Sequence, residues 1–308
     1  MAYTLLNATN AAPQSALAME LRSNRRTEAE HQPRRPDSAP IGILIAIDTT
    51  VTALTVSAVV LIAAALVRRD RLALILLAAG LLSVLAVMAV QINSGWMTAL
   101  DTSVWNWFDA HREHRGQGDS MGIFAYIGRP VHVAIAGVVT GTLLALRARS
   151  VMRAVVVIGT VGAGAAAEQI LKHLVERTPA NLAQLRDGSV VDWSQVDYYA
   201  NSFPSGHVTG SATLLGTIAV CLGIGRSRAI KMAATGLATT GVAFVAILAL
   251  YVRAHIFTDV VGGMVLGAAL VALGVAVLMP ARRPTKHRIR PAKARYSVIP
   301  DLIERTRS

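Results

Sequence analysis

Seven apolar blocks of about twenty residues, separated by short polar or basic links, constrain this chain more than any other feature. A helix of that length crosses the hydrocarbon core of a bilayer. In lipid, a helix satisfies its own backbone hydrogen bonds without help from water. The blocks therefore predict an all-α, polytopic membrane helix bundle. Its spans are expected at Ile41–Val67, Leu72–Ile92, Ile123–Leu146, Ala154–Leu174, His207–Gly225, Met232–Val252 and Val260–Met279. With 53% hydrophobic and 16% charged residues, the chain is too apolar for an ordinary soluble domain. The net charge of +12 does not point to nucleic acid, because the basic residues gather in the links between blocks and in the tail. No aromatic-basic platform accompanies them. The single Cys221 lies inside an apolar block and reads as a small packing residue, with no disulfide or cysteine-based metal site possible within one chain.

Residues 1–40 are polar and are expected to form a disordered tail, with no cleaved signal peptide. Residues 281–308 form a basic tail expected at the inner membrane surface, attracted to anionic lipid. Asp48, inside the first block, is expected to face a partner or to lie near the interface. Two longer polar stretches interrupt the blocks. The first, 93–120, spaces Trp96, Trp105, Trp107 and Phe108 among Asp101, Asp109 and Arg112, and predicts an amphipathic helix in the interface. The second, 175–203, carries Trp193, Tyr198 and Tyr199. Each of these loops holds two basic and four acidic residues, whereas the links at 68–71, 147–153 and 226–231 are rich in Arg and Lys. The positive-inside rule puts the basic links in the cytoplasm and the two polar loops outside. Seven spans then put the N-terminus outside.

The chemistry lies in two short stretches at the ends of apolar blocks: Asn201-Ser202-Phe203-Pro204-Ser205-Gly206-His207 and His255-Ile256-Phe257-Thr258-Asp259. Pro204 and Gly206 mark a turn. Ser205 and the following amides can donate to an anion at the start of a helix. His207 and His255 supply two imidazoles that could share one phosphate, one attacking and one donating a proton. Asp259 stands four residues after His255, within reach of its ring on a helix. Glu168 and Lys172 stand four apart near the end of the fourth block and could pair. The simpler alternative is a helix-starting turn with two wetted histidines. Two histidines and an aspartate could also bind zinc, but the Pro-Ser-Gly turn and Lys172 suit an oxyanion better. No metal or other cofactor is expected.

These residues resemble the type 2 phosphatidic acid phosphatase (PAP2) superfamily, whose signature is Lys-x6-Arg-Pro, Pro-Ser-Gly-His and Ser-Arg-x5-His-x3-Asp. The second part is complete in Pro204 to His207, and His255 with Asp259 gives half of the third. The two arginines are missing from their usual places, where Pro179 and Ala249 stand. The resemblance covers roughly residues 71–280. It implies a six-span core, so the span at 41–67 is additional. It also implies a membrane phosphatase acting on a lipid phosphate such as a polyprenyl diphosphate, phosphatidic acid or phosphatidylglycerol phosphate. The implied roles are a fixed positive charge for Lys172, phosphate oxygens held by Ser205 and Gly206, nucleophilic attack by His255, orientation of that ring by Asp259, and proton transfer by His207. Arg177 and Arg253 are expected to replace the missing pair from displaced positions, with Arg129 as an interfacial anchor. A lipid phosphotransferase with the same intermediate, or a non-catalytic phospholipid-binding member, are the alternatives. A vanadate-dependent haloperoxidase is disfavoured, since those members are soluble.

Overall fold

The structure, a computed structural model, describes residues 41–111, 117–178 and 199–279. The two tails and Trp193 and Tyr198 lie outside them, and so does the side chain of Asp48. Nine helices stand among the described residues: α1 (Ile41–Val67), α2 (Arg71–Gln91), α3 (Gly95–Ala110), α4 (Gln117–Ile127), α5 (Pro130–Ala148), α6 (Val151–Leu174), α7 (Gly206–Gly223), α8 (Arg228–Tyr251) and α9 (Phe257–Leu278). The chain divides into two units, Met1–Ala53 and Leu54–Ser308. In the first, the described residues are the opening turns of α1. The second holds the rest of the bundle.

Seven helices are long and apolar enough to cross a membrane: α1 from Thr49, α2, α5, α6, α7, α8 and α9. Their lipid-facing surfaces carry exposed Val, Leu and Ile, as at Leu143, Leu237 and Ile247. Such exposure has no cost in hydrocarbon. Helix association there rests on close packing of small residues rather than on removal of apolar surface from water. The innermost helices, α7 and α9, follow that rule. They pack on each other, and α7 also packs on α6 and α8 while α9 packs on α2. Gly263 of α9 shows why a small residue is needed: a Cβ there would come within 2.8 Å of the Ser205 carbonyl oxygen. Cys221 is buried, packed with Leu144 and Val157.

One span departs from the sequence expectation. The block expected at Ile123–Leu146 is broken, with α4 ending at Ile127 and α5 starting at Pro130. Pro130 has no N–H to continue a helix and disfavours helical backbone at Arg129. Arg129 accordingly caps α5 with ψ 132°. At this break Phe124 of α4 and Gly128 lie against His207. The amphipathic helix expected in 93–120 corresponds to α3. Trp96 and Trp107 are exposed as an interfacial helix requires, but Asp101 is fully buried.

Candidate active site

The N-terminal ends of α7 and α9 are latched to one another. The Ser205 amide donates to the Asp259 carbonyl at 2.9 Å, and the Ser205 carbonyl accepts from the Thr209 amide. Ser205 is the N-cap of α7, its hydroxyl oxygen 3.5 Å from the Val208 amide. The Pro-Ser-Gly turn is thus a buried joint, with Ser205 fully enclosed and the backbone of Gly206 and His207 at the helix start.

His207 and His255 meet there, ring centroids 6.0 Å apart and planes inclined by 62°, so both border one small space. Phe124 stacks on His207 at 4.2 Å and lies edge-on to His255 at 6.4 Å. Gly128 abuts the His207 ring so closely that a methyl group would overlap it. His255 follows α8 in a tight turn of Schellman type, where the Ala254 amide bonds to the Ala249 carbonyl and the Arg253 amide to the Leu250 carbonyl. The left-handed position of that turn, usually glycine, is Arg253 at φ 58°, a strain of about 1–2 kcal/mol for a side-chain-bearing residue.

Behind His255 stands a buried charge cluster. His255 Nδ1 lies 3.5 Å from Asp259 Oδ2, longer than a full hydrogen bond, and has no other partner among the described residues. Catalytic contacts of this kind often tighten only when substrate is bound. Asp259 Oδ2 also accepts from the Ser202 hydroxyl at 2.6 Å and from the Ile256 amide at 3.2 Å. Its Oδ1 accepts from Arg177 Nη2 at 2.7 Å. Arg177 Nη1 reaches Asp101 at 3.2 Å, and its Nη2 also donates to the Thr258 hydroxyl. Asp101 accepts from the Thr258 amide and hydroxyl, each at 2.8 Å, which ties α3 to the first turn of α9. Burial opposes the charge on Arg177, but the carboxylates of Asp259 and Asp101 outweigh it and hold its pKa above the ordinary guanidinium value. Burial pushes the Asp101 carboxyl above the usual range, against the pull of Arg177 and Thr258. Two carboxylates around one guanidinium leave a net negative charge behind His255.

The basic residues expected around a phosphate are mostly engaged. Arg177, expected to contact the phosphate, is buried and paired with Asp101 and Asp259. Arg253 pairs with Asp109 and lies over the Trp105 ring at 4.7 Å, while its carbonyl accepts from the Tyr199 hydroxyl at 2.6 Å. It too pairs with a carboxylate of α3. Burial lowers its pKa from the ordinary value. Lys172 pairs with Glu168 as their spacing predicts. Asp101, Ser202, Thr258, Phe124 and Gly128 do not stand out as site residues in the sequence. The Gly-Arg-Pro punctuation at 128–130 is a signal that could flag the last two.

Residues 150–283 match the PAP2 superfamily. Among solved structures, the fold matches a crystal structure described as the first transmembrane PAP2 type phosphatidylglycerolphosphate phosphatase, from Bacillus subtilis. The match has a TM-score of 0.53 at 20% identity and covers 67% of this chain and 98% of that one. At that identity the likeness is one of fold. No curated protein matches the sequence.

Proposed function

We propose that this multi-pass membrane protein, whose residues 150–283 form a PAP2 superfamily domain, is a lipid phosphate phosphatase that works through a phosphohistidine. The observation that carries the reading is the meeting of His207 and His255 at the start of α7, with Asp259 behind His255. Because Nδ1 of His255 faces Asp259, Nε2 is the nitrogen left to attack phosphorus. As the N–P bond forms and the bond to the lipid oxygen breaks, His207 gives that oxygen a proton. The ring of His255 becomes cationic, and the net negative cluster of Asp259, Asp101 and Arg177 stabilises it, as a carboxylate does in a hydrolytic triad. A water then attacks phosphorus, His207 takes its proton, and the N–P bond breaks to release phosphate. We assign the holding of the phosphate oxygens to Lys172 and the amides of Gly206 and His207.

A lipid substrate suits the surroundings. An apolar cleft of about 150 Å³ lies beside Gly206 between α5, α6 and α7, lined by residues such as Pro130, Val133, Gly137 and Val161. Polyprenyl diphosphates, phosphatidic acid and phosphatidylglycerol phosphate all pair a phosphate with such a chain. Purified protein in detergent is expected to release inorganic phosphate from at least one of them. The pairing of Lys172, Arg177 and Arg253 with carboxylates favours a second reading, a non-catalytic phospholipid-binding protein. Binding of these lipids without phosphate release from any would establish that one instead. Loss of lipid phosphate with phosphorylation of an added hydroxyl acceptor, and no free phosphate, would indicate a transferase.

We read the site as facing the extracytoplasmic side of the cell membrane, because the Arg-rich links lie at the other helix ends. Tyr126 is 72% exposed at the histidine end. A cysteine placed there, in a Cys221→Ser background, is expected to react with a membrane-impermeant thiol reagent in intact cells. Reaction only after lysis would reverse the orientation.

A further inference from the structure

Glu168 is a buried carboxylate that the mechanism above does not use. It lies on α6, 4% exposed, within the last two turns of a membrane span. Lys172 forms an ion pair with it, and Gln169 Nε2 donates to its Oε2 at 3.0 Å. It also presses on the first residue of α7: a Cβ on Gly206 would lie 2.8 Å from Oε1 and 2.9 Å from Cδ. The glycine of the Pro-Ser-Gly turn therefore leaves room for a carboxylate. A helix N-terminus and a lysine are what attract an anion, and here the protein supplies one of its own to both.

The other charges nearby do not offset this. Arg177 is shared by Asp101 and Asp259, and Arg253 is taken by Asp109. Arg129, next to Gly128, adds one more positive charge at the rim. With Lys172 and Glu168 included, four cations face four carboxylates among the described residues. A seat for a phosphate dianion would ordinarily carry a surplus of positive charge. In this one the charge of Lys172 is already compensated, and a dianion must approach a buried carboxylate across a short distance in a poorly screened place.

Resting on the phosphatase reading above, we propose that Glu168 is a specificity-determining residue. It weakens the seat for free anions, so that a phosphate is held well only when its lipid chain occupies the neighbouring cleft. Glu168 and Gly206 stand together at the head of that cleft. Once the bond to the lipid is cut, the phosphate has lost its apolar anchor and meets a nearly neutral seat, so the product departs.

The test uses full-length protein in detergent, with inorganic phosphate and orthovanadate as probes and titration calorimetry as the readout. Glu168→Gln removes the charge and keeps the shape, and it is expected to bind both probes at least tenfold more tightly than the parent. Glu168→Asp keeps the charge and is expected to stay near the parent. Glu168→Ala should show the same gain as Glu168→Gln, which covers the case in which the glutamine variant does not fold. In turnover assays, Glu168→Gln should show stronger product inhibition by phosphate, while its KM for the lipid changes much less. A residue with only a structural role would lower stability without tightening anion binding. Unchanged or weaker binding in folded Gln and Ala variants would overturn the proposal, as would equal gains in the Asp variant. Anion binding is measured without turnover. Tighter binding in a protein that hydrolyses no lipid would therefore sink the phosphatase reading and leave Glu168 only as a residue that weakens anion binding.

Discussion

Replacing His255 by alanine is expected to lower phosphate release by about 10⁴-fold or more, the scale seen when a nucleophile that acts with its partners as a unit is removed. The reason lies in the division of its two ring nitrogens. One faces Asp259 at 3.5 Å and the other is left to attack. No other group among the described residues of the site is placed to accept the phosphoryl group: His207 is packed under Phe124, and Ser205 is enclosed in the joint between α7 and α9. The same substitution should leave the fold intact, because the polar contact that His255 Nδ1 would lose is that long one, and its turn is held by backbone hydrogen bonds. Turnover near that of the parent would remove His255 from the role of nucleophile. A variant that loses its helical bundle would need the milder His255→Asn in its place.

Arg177→Met is expected to destabilise the protein by about 3–5 kcal/mol, the cost of leaving buried charges without their partner. Asp101 and Asp259 are both fully buried, and Arg177 is the cation between them. Were Arg177 a phosphate ligand instead, its loss would weaken anion binding and spare stability. The two roles are separated by measuring the melting temperature in detergent beside phosphate release. The double variant Arg177→Met with Asp101→Asn should recover part of the lost stability, because one of the two stranded charges is gone. Stability equal to that of the parent in Arg177→Met would mean that the cluster does not hold α3 to α9.

Much of the fold is legible in the sequence because bilayer thickness imposes a length on every span. Blocks of about twenty apolar residues read directly as α1, α2 and α6 to α9. The third span does not, because hydropathy fails to register a break. Ile123 to Ile127 is apolar like the stretch from Val131 to Leu146, and only Gly128-Arg129-Pro130 marks the separation. At the site, near neighbours in sequence read well. Glu168 with Lys172, and His255 with Asp259, are one helical turn or a tight loop apart. Distant partners do not. Asp101 looks like one acid among the polar residues of an interfacial helix, and nothing local announces a contact 76 residues away with Arg177. Arg177 and Arg253 lie close to the vacant motif positions, and proximity alone suggests that a guanidinium would turn to the phosphate. Each instead satisfies a carboxylate on α3. Arg253 also stands in left-handed backbone where glycine is usual, and one sequence gives no hint of that conformation.

In the proposed reaction phosphate passes through His255. This step is tested most directly by mixing purified protein with a lipid whose phosphate is radiolabelled, quenching within a turnover, and locating the label on the protein. An alkali-stable, acid-labile phosphoryl group is expected on His255 in the parent and none in His255→Ala. Phosphate release by the parent with no label on His255 at any quench time would contradict it.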